Sequence, residues 1–313
     1  MSLEPITELM AHARKNEYAI GYFESWNIES LQGVIDAAEQ TRSPIIIGFN
    51  GEFLSDSKRR AEERLSWYGA LGKAAAESAR VPCGFIFNEC PNVDWVLNAV
   101  TAGFNLVMPA DAKAKLAEYQ QKVQEIVEYA HAHEVAVEAE IDELPFGDEE
   151  NILAGSDTQL SVNGVAVAPK LDRSIGTNPQ IASKFVAETK VDLLAISVGN
   201  VHVKLNGRSD LDLERIANLR QAIEVPLVLH GGTGISDASL REAVALGVAK
   251  VNFGSYLKLR YLAAVRNAIE ILDGNPHAIL GRGGPEDAMV AGRHAVLEAV
   301  LERIDLLGCC GKA

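Results

Sequence analysis

Cysteine, histidine and cationic side chains are all scarce in this chain, and each shortage removes a class of function. The 313 residues include four cysteines, Cys83, Cys90, Cys309 and Cys310. They form neither a CxxC knuckle nor a disulfide framework, so a reduced, cytoplasmic setting is expected. Lysine and arginine number 29 against 43 acidic residues, a net charge of −14. A nucleic-acid partner is therefore not expected, because a phosphate backbone needs cationic neutralisation, although a local basic pocket remains compatible with that total. No apolar run reaches the roughly 20 residues that span a bilayer, and no signal-peptide core opens the sequence, so no membrane association is expected. No GxGxxG follows the first strand, which leaves a doubly wound dinucleotide fold without support. Low-complexity segments and linkers are absent too, so residues 1–313 read as one domain.

What is present is a rhythm. Short apolar runs of strand length alternate with amphipathic stretches of helical period. Strands are expected at 19–23, 45–49, 81–88, 105–108, 135–140, 192–198, 227–229 and 249–253. Helices are expected at 30–40, 58–79, 93–102, up to 131, 178–189, 210–222, 237–246 and 257–272, with an extra one over about 286–306. Eight strands, each followed by a helix, predict an α/β fold of the closed (β/α)8 TIM-barrel type, because parallel strands need helical crossovers. The rhythm breaks once, after strand five. Residues 141–176 carry Pro145, Gly147, Gly155 and Gly164 and the acidic run Asp148-Glu149-Glu150, the composition of a long lid or binding loop.

A barrel gathers its chemistry at the C-terminal ends of its strands. Two of only seven histidines, His202 and His230, fall at the ends of strands six and seven. With one or two carboxylates they would make a shell for a divalent metal, Zn²⁺ first. Glu138 and Glu140 lie two apart on strand five and so face the same way, with Glu140 nearer the top. His230 runs into Gly231, Gly232 and Thr233, a turn whose exposed N–H groups would suit an anion. His12, His131, His133, His277 and His294 read as surface or packing residues.

Taken together, SLQGVIDAAEQTRSPIII, VPCGFIFNE, AVTAGFNLVM, VEYAHAHEVAVEAEI, TNPQIASKFVAETKVDLLAISVGNVH, HGGTGIS and KVNFGSYLK resemble the class II, metal-dependent fructose-bisphosphate aldolase family over nearly the whole chain. The resemblance implies that His202, His230 and Glu140 bind the metal. It implies that Gly231, Gly232 and Thr233 open a phosphate loop, and that Asn252 and Ser255 meet substrate. Its departures carry information as well. The family's Leu-Asp-His-Gly at the end of strand three is Phe87-Asn88-Glu89-Cys90 here, and Asn88 can hydrogen-bond but cannot exchange a proton near neutral pH. Glu89 is then either a fourth ligand or the proton carrier, and Asp142 or Glu149 is the other candidate carrier. A site richer in carboxylate brings Mn²⁺, Co²⁺ and Mg²⁺ into consideration beside Zn²⁺. Val203, Gly254 and Tyr256 replace a glycine and two aspartates of the family, which moves the substrate away from fructose 1,6-bisphosphate itself. The expected activity is carbon–carbon lysis of a ketose or related phosphorylated substrate through an enediolate, in carbohydrate metabolism, by a homodimer or homotetramer. The alternatives are an isomerase or epimerase on the same metal site, or a non-catalytic sugar-phosphate binder.

Overall fold

Eight runs of β-branched and apolar residues become eight parallel strands. They are β1 (Ile20–Ser25), β2 (Ile45–Asn50), β3 (Cys83–Cys90), β4 (Leu106–Pro109), β5 (Ala136–Glu140), β6 (Leu193–Ala195), β7 (Leu227–Leu229) and β8 (Val248–Phe253). In this computed structural model, which describes residues 2–111, 114–141, 176–201, 208–270 and 275–313, each strand pairs with the next. β8 pairs with β1 through Ile20–Lys250 to Phe23–Phe253, which closes the barrel. Of the long loop expected over 141–176, residues 142–175 lie outside the described residues.

The helices around the barrel are α1 (Ile6–Lys15), α2 (Ile28–Thr41), α3 (Gly51–Ser55), α4 (Leu65–Ser78), α5 (Val93–Ala102), α6 (Leu116–His131), α7 (Pro179–Thr189), α8 (Leu213–Ala222), α9 (Asp237–Ala245), α10 (Ser255–Glu270), α11 (Pro276–Ile279) and α12 (Ala288–Leu307). The structure departs from the sequence reading in several places. The expected helix over 58–79 begins only at Leu65. Upstream, Asp56 Oδ1 accepts from Lys58 N at 2.8 Å and Arg59 pairs with Glu63, local contacts that compete with helical hydrogen bonding. Helix α1 was not anticipated, although Ile6, Leu9, Met10 and Ala13, all buried, hold the i, i+3, i+4, i+7 spacing of an amphipathic helix. It sits against the start of β3, where Ile6 and Leu9 pack on Gly84. The glycines at 281–284, which suggest a flexible lead into the last helix, form instead a held turn. Gly281 and Gly283 have φ of +91° and +71°, and their N–H groups donate to the buried Asp287 carboxylate at 2.8 and 2.9 Å.

Strand β6 is shorter than expected because the chain bends away after Ile196, whose N–H makes the last bond to β7, to Val228 O at 3.0 Å. Ser197 N donates to Thr177 Oγ1 and Thr177 N to Ser197 O, both at 2.8 Å. Asn200 then ties this bend to the end of β7. Its Nδ2 donates to His230 O at 3.1 Å and to Ile196 O at 3.2 Å, and its Oδ1 accepts from Val198 N at 2.8 Å.

Candidate active site

At the C-terminal mouth of the barrel is a cavity of about 240 Å³. Tyr22 and Glu24 of β1, Asn88 and Glu89 of β3, Gly231 and Thr233 after β7, and Asn252, Ser255 and Lys258 around the end of β8 all line it. A regular strand turns successive side chains to opposite faces, yet Asn88 and Glu89 both reach this cavity. Glu89 has φ of +53°, and the β3–β4 register shifts between Phe87 and Cys90. This left-handed residue breaks the alternation and brings two neighbours in together. A non-glycine residue in that region costs free energy and is concentrated at functional sites.

His230 is 1% exposed and stands among three carboxylates drawn from two strands. Its Nε2 faces Glu138 Oε1 at 2.9 Å. Its Nδ1 faces Glu89 Oε1 at 2.9 Å and lies 3.8 Å from Glu140 Oε2. Burial opposes charging the imidazole, but Glu140, Glu138 and Glu89 outweigh it and lift the pKa to about 10.

Beneath the histidine, Lys250 and Glu138 are both fully buried and pair at 2.8 Å. Burial would raise the Glu138 carboxyl, yet Lys250 and His230 hold it below the ordinary range. Burial also draws the Lys250 ammonium down. Lys250 Nζ donates to Asn252 Oδ1 at 2.6 Å. Lysine has no acceptor, so this contact fixes the amide with Nδ2 turned away from the lysine. Among the described residues Asn252 Nδ2, Asn88 Oδ1 and the Tyr22 hydroxyl are buried with no protein partner.

Glu89, Glu140 and His230, expected near one another, are together. Asn88, Gly231, Thr233, Asn252 and Ser255 line the same cavity as Glu89. Gly232 instead turns towards β8, where a Cβ would lie 2.7 Å from the Phe253 ring. His202 and Asp142 lie outside the described residues, as do Glu149 and Val203. Lys250 and Glu24 escaped the sequence reading. The signal for Lys250 was a lysine in an apolar strand, two residues before Asn252 and hence on its face.

Among the described residues no cluster of three His, Cys, Asp or Glu stands ready as a metal cage. The donor chemistry nevertheless fits a divalent cation, with two carboxylates meeting one edge of an imidazole whose other nitrogen is held by a third carboxylate. That last contact is the usual means of orienting a metal-binding histidine.

The sequence profile of class II fructose-bisphosphate aldolases matches residues 4–312. The chain belongs to this family. Within the aldolase family it is 32% identical over 304 residues to the uncharacterized protein YdjI of Escherichia coli K12, covering 96% of each chain. The crystal structure of that YdjI aldolase superposes with a TM-score of 0.78 at 30% identity, over 99% of each chain. A putative fructose-1,6-biphosphate aldolase of Coccidioides immitis has the same fold at 24% identity and a TM-score of 0.78, over 98% of this chain and 97% of that one. Aldolases of class II are metal-dependent, and no helix among the described residues is long and apolar enough to cross a membrane.

Proposed function

We propose that this aldolase-family chain is a metal-dependent carbon–carbon lyase acting on a ketose, working as a single barrel unit in a reduced, cytoplasmic setting and as a homo-oligomer. The observation that carries the reading is the meeting of Glu89 and Glu140 on the Nδ1 edge of His230, with Glu138 on Nε2. His230, Glu140 and Glu89 would hold the cation, with His202 completing the set. Zn²⁺ is the first choice, and the two carboxylates also admit Mn²⁺, Co²⁺ or Mg²⁺. The bound cation would supply Lewis-acid polarisation of a substrate carbonyl.

The chain's own groups do the rest. Asn252 Nδ2 donates to a substrate oxygen, and Asn88 Oδ1 accepts from a substrate hydroxyl. Lys250 orients Asn252 before substrate arrives, which lowers the entropy lost on positioning. With Glu89 engaged at His230, the proton leaving or joining carbon passes to a carboxylate of the loop after β5, Asp142 or Glu149. Ser255, Gly231 and Thr233 orient the end of the substrate remote from the cation.

Metal analysis of the purified protein, followed by chelation and a cleavage screen of ketoses and their phosphates, tests this. One divalent ion per chain and chelator-sensitive release of an aldehyde are expected. Bound metal with no ketose turned over would sink the lyase in favour of a binder or an isomerase, and no metal at all would remove the mechanism. Glu138→Gln should weaken metal binding by about 10–100-fold, the usual effect of losing such a supporting contact. Glu89→Gln with unchanged metal affinity would refute its role as ligand.

A further inference from the structure

Glu24 is a nearly buried carboxylate, 8% exposed, in the wall of the candidate site, and the chemistry above leaves it unused. It follows Tyr22 by two on β1 and so shares its face. Its Oε1 is 2.5 Å from Lys258 Nζ. Its Oε2 rests against Gly254, where a Cβ would lie only 2.3 Å away. Gly254 immediately precedes Ser255, the first residue of the 16-residue helix α10. The Glu24 carboxylate therefore lies across the start of α10, at the positive end of its dipole. Lys258 sits in the first turn of the same helix, with its Nζ 4.3 Å from the Phe53 ring centroid.

A phosphate entering this end of the cavity would need two things, the helix N-terminus and a cation. Glu24 already pairs with the cation, Lys258, and its carboxylate fills the space beside Gly254, just before the first residue of the helix. Among the described residues three carboxylates, Glu24, Glu52 and Glu89, line the cavity against one ammonium, Lys258. Among the described residues that line the cavity, the buried groups left without hydrogen-bond partners, Asn252 Nδ2, Asn88 Oδ1 and the Tyr22 hydroxyl, are neutral and include donor and acceptor. A carboxylate beside them accepts hydrogen bonds from hydroxyls, its only capacity when ionised.

From this geometry we infer that Glu24 is a specificity residue that excludes phosphate from the β1–β8–α10 end of the site, so that the substrate presents an uncharged, polyhydroxylated end there. This rests on the ketose-lyase reading above and replaces the phosphorylated end expected from family resemblance. The glycine at 254 is part of the device, since any side chain would displace the carboxylate.

The test compares dihydroxyacetone with its monophosphate on the metal-loaded full chain, following exchange of the carbon-bound hydrogen for deuterium in D₂O by NMR. The wild type should exchange the unphosphorylated ketone at least as efficiently, by kcat/KM, as the phosphate ester. Glu24→Gln, which removes the charge and keeps the shape, should shift that ratio towards the ester by about tenfold or more, while Glu24→Asp, which keeps the charge, should not. A wild type preferring the ester by about tenfold, or a ratio unmoved in Glu24→Gln, overturns the inference, and the wild-type comparison decides even if the variant misfolds. If neither ketone exchanges, the lyase reading fails on its own. Calorimetric titration with inorganic phosphate then judges Glu24 separately. Saturable binding only in Glu24→Gln supports the exclusion, and equal binding by the wild type refutes it.

Discussion

At the scale of the residue, the buried Lys250–Glu138 pair governs the site without touching its cavity. It anchors Nε2 of His230 through Glu138 and the amide of Asn252 through Lys250. Breaking a buried pair strands the surviving charge, at a cost of about 3–5 kcal/mol. Lys250→Met should therefore lower stability by about that amount, measured by urea unfolding. Adding Glu138→Gln removes a carboxylate left with His230 alone as its charged partner, so the double variant should recover about 1 kcal/mol or more relative to additivity. Strict additivity would mean that the two side chains act independently. His230 and Glu140 were legible in the sequence because strand ends are where barrel chemistry lies. Lys250 was present in the same strings, but its partner is 112 positions away in sequence, and no periodicity connects them.

At the scale of the element, the close approach of α2 to α12 is set by one missing side chain. A Cβ on Gly33 would lie 2.6 Å from Arg293 O and 3.0 Å from Val296 Cβ. Alanine is intrinsically better than glycine in a helix by about 1 kcal/mol, so on an open surface Gly33→Ala would stabilise. Here overpacking opposes it at about 1–3 kcal/mol, and a net loss of stability is expected, seen as a fall in the urea midpoint. A rise would show that the helices part without cost. Periodicity located most helices well. The Val93–Ala102 helix is as expected, and Asn178 caps α7 through the N–H groups of Gln180 and Ile181. It missed the non-helical stretch over 58–64, because side-chain-to-backbone contacts such as that of Asp56 leave the hydrophobic pattern unchanged.

For the whole molecule, the acidic excess acts as a uniform field. A net charge of −14 repels itself in the compact state, and salt screens that repulsion as the Debye length falls from about 30 Å at 0.01 M to about 8 Å at 0.15 M. The Tm should rise over that range of sodium chloride. A fall would mean that specific ion pairs, such as Arg293 with Asp36 at 2.6 Å, outweigh the net field. Closure of the barrel supplies the complementary constraint. With β1 hydrogen-bonded to β8, no strand of the barrel is left with an unpaired edge.

The sequence by itself determined the number and order of strands, the barrel class, the family, and the proximity of His230 to Glu140. The family rests on the resemblance of whole motifs; the rest follows from signals carried by near neighbours, period 2 in strands, period 3.6 in helices and turn residues at their ends. Only the tertiary structure decided that Asn88 and Glu89 enter one cavity together, that Lys250 sits beneath the histidine, and that Glu24 lies across the start of α10. The reason is physical. Which charges meet is settled when β8 closes on β1 and a glycine lets a carboxylate approach, and charge balance inside a closed barrel depends on side chains that are neighbours only in space.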